Sequence, residues 1–136
     1  MHVQKILDKK GFRIITLSCH LPVLNIAKVM ALERIGTVMM VDDSGKLVGI
    51  LSERNIIRVI SEEGRDIASL STSELMSQSL ITCSPYTGLE DVLALMSKHA
   101  IRHLPVVDGN DLVGLISVRD VLDLQRKIFY RGRSNA

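Results

Sequence analysis

Two tandem β-α-β-β-α repeats, an α/β (α+β) fold packed about a pseudo-twofold axis, are what this 136-residue sequence predicts. Three observations carry the prediction. One stretch occurs twice, as Leu47-Val48-Gly49-Ile50-Leu51-Ser52-Glu53-Arg54-Asn55 and as Leu112-Val113-Gly114-Leu115-Ile116-Ser117-Val118-Arg119-Asp120. Each copy is an apolar run, too short and too β-branched for a buried helix, followed by a serine that reads as a helix N-cap. The copies also lie in register. An offset of 66 pairs Ile15 with Ile81, Thr16 with Thr82, Met30 with Met96, Ile35 with Ile101 and Asp42 with Asp108; it drops to 65 from the Leu47–Leu112 pair onward. The lost residue falls in a turn, where a deletion costs least.

Taken in order, Val3 to Leu7 predicts one or two helical turns ended by Gly11, and Arg13 to Leu17 a short strand. Pro22 stands where helices begin, and Val23, Ile26, Ala27, Met30 and Leu32 recur near helical spacing up to Arg34. Thr37 to Val41 predicts a strand, Asp42 to Lys46 a turn and Leu47 to Leu51 the returning strand. Ser52 opens a helix carrying Ile56, Ile57, Val59 and Ile60 as far as Glu62, and the polar run Ser61 to Ser73 reads as a linker. The order then repeats: a strand at Leu80–Thr82, a helix at Leu89–His99 with Val92, Leu93 and Met96 inward, and a strand at His103–Val107. A turn at Asp108–Asp111, a strand at Leu112–Ile116 and a helix from Ser117 to Lys127 complete it. The expected division is 1–62 for the first repeat with its N-terminal segment, 63–73 for the linker, 74–127 for the second repeat and 128–136 for a basic tail.

Aromatics make up 3% of the chain and hydrophobics 46%, so the core is aliphatic, and aliphatic side chains would have to hold any ligand ring. A net charge of +2 gives no global argument for nucleic acid. The local exception is Arg126, Lys127, Arg131 and Arg133, read as a solvated tail, with contact to a nucleic acid or acidic partner as the alternative. Cys19 and Cys83 have no CxxC spacing and suggest a reducing compartment without a disulfide framework. The first residues lack the apolar run of a secretory signal. The longest uncharged runs fall short of the ~20 residues of a spanning helix, so a cytoplasmic protein without membrane contact is expected. His2, His20, His99 and His103 lack metal-ligand spacing, and no nucleophile-base pattern or Walker loop occurs. No enzyme, metal or catalytic cofactor is expected. Gly49 and Gly114, inside strands, read as points of close packing.

With Ile-Arg-His-Leu-Pro-Val-Val-Asp at 101–108 and Leu-Val-Gly-Leu-Ile-Ser-Val-Arg-Asp at 112–120, the repeat resembles the CBS domain. The tandem resembles a stand-alone CBS pair, or Bateman module, from Val3 to Leu124, and Glu74-Leu75-Met76 and Ile81-Thr82 fit the same pattern. The first repeat departs from it, with Thr37-Val38-Met39-Met40 opposite His103-Leu104-Pro105-Val106 and Asn55 in place of the usual aspartate. The resemblance implies a non-catalytic, energy-sensing regulatory unit. Such pairs hold adenosine-containing ligands (AMP, ADP, ATP, NAD(H) or S-adenosylmethionine) in two clefts between the repeats, dimerise through helices and act on a separate protein partner.

The resemblance gives Asp120 the ribose. A carboxylate only accepts, and can receive both sugar hydroxyls. The alternative is a capping box, in which Asp120 merely holds the Ser117 amide. Ser117 and Ser52 are caps first, and the resemblance adds phosphate contact at the helix N-terminus. Arg102, His103 and Arg119 are phosphate candidates. Arg119 and its twin Arg54 oppose the helix dipole, which points to an anion or acidic neighbour, with a solvated arginine as the alternative. His103 reads equally as a structural histidine, and Lys10 is carried to the same cleft by the resemblance alone. Adenine contacts are implied at Ile15, Thr16 and Ile35 for the Asp120 cleft. For the second cleft they are implied at Ile81, Thr82 and Ile101, beside Asn55, Ser52, Arg54 and Thr37; core packing is the alternative for each isoleucine. Asn55 keeps one acceptor and loses the charge, so its cleft should be weaker, differently selective or empty. The competing functions are a ligand-free dimeric scaffold joined through helices 23–34 and 89–99, and a nucleic-acid accessory using the tail.

Overall fold

The computed structural model describes residues 1–11, 14–64, 66–78 and 80–134. In order these form α1 (Val3–Lys10), β1 (Thr16–Ser18), α2 (Val23–Glu33), β2 (Thr37–Val41), β3 (Leu47–Ser52) and α3 (Glu53–Glu63). A 3-10 turn (Ile67–Ser69), α4 (Thr72–Leu75), α5 (Leu89–His99), β4 (His103–Asp108), β5 (Asp111–Ser117) and α6 (Val118–Ser134) follow. The chain divides into two compact units, Ile15–Leu80 and Met1–Ile14 with Ile81–Ala136.

In the Ile15–Leu80 unit, β1 pairs with β2 in parallel and β2 with β3 antiparallel. α2 covers the sheet with Val23, Ile26 and Met30, which meet Val38, Met40 and Leu51 in one buried cluster. Leu32, which shares the apolar pattern, is 83% exposed. At 3.6 residues per turn it lies about 180° from Val23, on the far side of the helix. Ile57 is likewise on the outer face of α3, one position beyond the buried Ile56. Among the described residues of the expected linker, 63–73, α3 runs to Glu63 and ends at a left-handed Gly64, a 3-10 turn spans Ile67–Ser69, and Leu70 enters the core.

The other unit repeats this plan with one strand fewer. β4 and β5 form an antiparallel pair, and the strand expected at Leu80–Thr82 is reduced to a single parallel bridge between Cys83 and Val106. The cause is two prolines. In the first repeat Cys19 N–H extends the ladder to Val41 O at 2.9 Å, whereas its counterpart Pro85 has no N–H to give. At the other end Thr16 pairs with Met39, whose counterpart opposite Thr82 is Pro105, again without an N–H. α6 continues to Ser134, through the segment expected as a tail. The side chains of Arg131 and Arg133 lie outside the described residues, as does Arg13 of the expected first strand.

Each repeat's leading helix belongs to the unit of the other repeat. α1, grouped by sequence order with the first repeat, buries Val3 and Ile6 among Leu89, Val92, Ile116 and Val121. Its first amides would be orphans in an isolated helix. Here Val3 N–H donates to Thr87 O at 3.0 Å and Gln4 N–H to Pro85 O at 2.8 Å. α4 and its flanks dock on the first repeat in the corresponding way. Buried Thr72 donates its hydroxyl to Leu21 O at 2.6 Å, and Ser77 and Ile50 exchange backbone hydrogen bonds of 2.8 and 3.1 Å. The strand glycines make room for these crossings. A Cβ on Gly49 would stand 2.6 Å from Met76 Sδ, and one on Gly114 would stand 2.6 Å from Leu7 Cδ2.

α2 and α5 end alike, on Arg34 (φ 56°) and Ala100 (φ 52°), both in the left-handed region. Neither is glycine, so each carries a steric cost of about 1 kcal/mol. Ala100→Gly is expected to raise stability by about 0.5–1 kcal/mol, read as a higher urea midpoint at unchanged slope.

Candidate functional site

β5 delivers Ser117 to the start of α6, and the helix's first turn brings Asp120 back over it. Ser117 N–H donates to Asp120 Oδ2 at 2.8 Å, and Asp120 N–H donates to Ser117 Oγ at 3.1 Å. The capping box weighed as the alternative reading is therefore formed. It consumes one carboxylate oxygen. Lys10 Nζ, at the C-terminal end of α1, donates to the same Oδ2 at 2.9 Å and to Leu115 O at 3.0 Å. Oδ1 takes no part in these three contacts. Lys10 thus shares the corner with Asp120.

Burial works to raise the Asp120 pKa, but the Ser117 amide and the Lys10 ammonium outweigh it, leaving the carboxyl below its usual value and ionised at neutral pH. A hollow of about 140 Å³ lies beside it, lined by Ile6, Lys9, Lys10, Asp120, Asp123, Leu124 and Lys127. Sequence reasoning missed Lys9, Asp123 and Lys127. Asp123, Leu124 and Lys127 follow Asp120 at spacings of three, four and seven along α6, so they lie on its face, a signal that helical geometry could have supplied.

His103 pairs across the ladder with Ser117 and is half-buried. Burial pushes its pKa below the ordinary value; Lys10 and Arg102 push the same way and Asp120 opposes them. The unfolded chain therefore takes up this proton at a higher pH than the folded protein does. Stability from neutral His103 is present above about pH 6.5 and declines as pH falls through the depressed folded value. Urea unfolding is expected to show lower stability at pH 5 than at pH 7.5, with a smaller difference in His103→Gln. Arg102 and Arg119 are exposed; Arg102 holds the site through its backbone, where its carbonyl accepts from Val118 N–H at 2.9 Å.

The first repeat builds the same corner without a charge. Ser52 N–H donates to Asn55 Oδ1 at 3.0 Å, Ser52 Oγ donates to it at 2.8 Å, and Asn55 N–H donates back to Ser52 Oγ at 3.2 Å. Thr37 stands across from Ser52, as His103 does from Ser117. Arg54 is exposed. The residues expected against adenine fall in both units. Ile15, Thr16 and Ile35 belong to Ile15–Leu80, and Ile81, Thr82 and Ile101 to the other. The four isoleucines are half-buried and the two threonines exposed. Ile35 also lines a groove of about 450 Å³ between α2 and α3. Among the described residues no helix is long and apolar enough to cross a membrane.

The family model for the CBS domain matches this chain twice, at residues 5–62 and 73–127. The CBS domain-containing protein YhcV of Bacillus subtilis is 34% identical over 114 residues, spanning 84% of this chain and 80% of its own. The CBS-domain protein ATU1752 of Agrobacterium tumefaciens superposes with a TM-score of 0.86 at 26% identity, covering 92% of this chain and 99% of that one. The CBS domain pair of protein MJ0100, solved in complex with 5′-methylthioadenosine and S-adenosyl-L-methionine, superposes with a TM-score of 0.81 at 26% identity, covering 93% of this chain and 97% of that one.

Proposed function

Because the chain belongs to the CBS-domain family, as a tandem pair of this regulatory module, we propose that it binds an adenosine-containing nucleotide and passes the bound state to a partner protein. One observation carries the reading: a half-buried, ionised Asp120 whose Oδ2 is tied to the Ser117 amide and Lys10, beside a hollow. The second oxygen, Oδ1, has the chemistry a ribose needs, since it can accept from a sugar hydroxyl while Oδ2 keeps the helix cap. Lys10 and the N-terminus of α6 supply positive charge for a phosphate. Arg119, Arg102 and His103 are retained as its further contacts. Ile15, Thr16 and Ile35 are retained for the purine, with Asn55, Ser52, Arg54, Thr37, Ile81, Thr82 and Ile101 as the second set. The adenosine ligands of MJ0100 support the class; AMP, ADP, ATP and NAD(H) belong to it.

Thermal unfolding with AMP, ATP, NAD or S-adenosylmethionine tests this. A ligand at a hundred times its Kd stabilises by about 2.7 kcal/mol, a rise of roughly 9 °C for a chain of this size. Asp120→Ala is expected to lose most of that rise. No rise with any ligand, or an equal rise in the variant, refutes the reading.

A second reading, a cytoplasmic homodimer that serves as a scaffold, is favoured by the outward Leu24 and Leu32 of α2 and Ile57 of α3. It expects a dimer by light scattering whether or not nucleotide is present.

A further inference from the structure

α1 and α6 lie side by side and run in opposite directions. Lys10, at the end of α1, pairs with Asp120 at the start of α6, while Met1, ahead of α1, shares a groove with Ile128, about two turns further along α6. That groove holds about 380 Å³ and follows the seam between the helices. Met1, Lys5, Asp8 and Lys9 face it at helical spacing from one side, and Leu124, Lys127 and Ile128 from the other. Lys9, Leu124 and Lys127 also line the hollow beside Asp120, so groove and hollow are successive parts of one trough.

The floor of the groove is apolar. Leu124 is buried, whereas Met1 and Ile128 keep 56% and 41% of their surface exposed. The stripe of Val121, Leu124 and Ile128 on α6 therefore starts in the core and runs out into an open channel. The rim is basic on both sides, with Lys5 and Lys9 on the α1 side and Lys127 on the α6 side. Of the lining residues only Asp8 is acidic.

We infer that this groove docks an amphipathic helix of a partner protein, one that carries acidic residues on both flanks of its apolar stripe. A channel between two antiparallel helices has the shape a third helix fills, with its ridge of side chains laid along the seam. Apolar residues at i, i+3, i+4 and i+7 of the incoming helix cover Met1, Leu124 and Ile128. Carboxylates beside that stripe meet Lys5 and Lys9 on one flank and Lys127 on the other, whereas a basic helix is repelled from both. The assignment deepens the functional reading above by giving its partner a place. It rests on that reading only for the signal, which the residues shared with the Asp120 hollow would carry; docking itself needs no nucleotide.

Fluorescence anisotropy of the full chain with a labelled synthetic peptide tests it. The probe has leucines at that helical spacing and glutamates on both flanks, and its counterpart has glutamine for each glutamate. The acidic peptide is expected to bind at least about tenfold more tightly than the counterpart, by an advantage that shrinks as salt rises. Lys5→Glu and Ile128→Gln alter residues that line the groove and not the hollow. Each is expected to weaken the acidic peptide at least about tenfold while leaving the rise in thermal midpoint with nucleotide unchanged. Thermal midpoints without ligand are compared first, and exposed Lys5 carries the test if the Ile128 variant is less stable. Equal binding of the two peptides, or undiminished binding in Lys5→Glu, overturns the inference and leaves the functional reading intact. Capture of the chain by phosphatidylserine vesicles but not by the peptide also overturns it, because a lipid surface then occupies the basic rim. Peptide binding with no nucleotide-induced rise refutes the functional reading and leaves the docking site standing.

Discussion

Leu104→Ala is expected to cost about 2–5 kcal/mol, the range for removing a fully buried leucine from a core that cannot collapse around the gap. Leu104 has no exposed surface, stands in β4 opposite Ile116, and joins the cluster of Val92, Met96 and Val121. Among the described residues its strand has only β5 along its length, plus one bridge to Cys83, so few neighbouring residues can shift to refill the space. The loss is expected as a fall of roughly 10 °C in the thermal midpoint, with the urea slope unchanged if folding stays cooperative. Leu122, 52% exposed on α6, supplies the contrast: its replacement by alanine is expected to stay within about 0.5 kcal/mol. Equal effects at the two positions would remove the core assigned to this unit.

Gly49→Ala is the second large effect, with an expected cost of about 1–3 kcal/mol from overpacking. The new methyl would stand 2.6 Å from Met76 Sδ, 2.9 Å from Met76 Cγ and 3.0 Å from the Ser77 carbonyl oxygen. The methionine can swing aside. The carbonyl cannot, because it accepts from Ile50 N–H at 3.1 Å and is part of the pairing that docks this segment on β3. Gly114→Ala is expected to cost less, since only Leu7 Cδ2 lies within 3.0 Å and that is the end of a flexible side chain. Parallel urea denaturation of the two variants reads the order. A Gly114 variant as damaged as the Gly49 variant would mean that backbone crowding is not the governing term.

Much of the site was legible before any coordinates. The serine caps, their reciprocal partners at Asn55 and Asp120, and the offset between repeats follow from local spacing, because a helix start depends on four consecutive residues and little else. The ends of α1, α2, α3 and α5 were legible to within a few residues, whereas α6 runs past the expected Lys127 to Ser134. The strand at Leu80–Thr82 was misread because its ladder depends on donors that Pro85 and, in the partner strand, Pro105 lack, and this shows only when the partner strand is known. Leu32 was grouped with Val23 and Ile26 by hydrophobicity, although helical geometry alone sets it on the opposite face.

The residues by themselves determined the repeated α-β-β-α order, the aliphatic core and the two capping boxes, since propensity, periodicity and side-chain reach act over a handful of neighbours. Only the tertiary structure decided that each leading helix docks in the other repeat's unit. That docking puts Lys10 on Asp120 across 110 positions of chain. Burying Val3 and Ile6 on a distant sheet, with donors met at Thr87 and Pro85, depends on which apolar faces fit each other, and no local pattern encodes that complementarity.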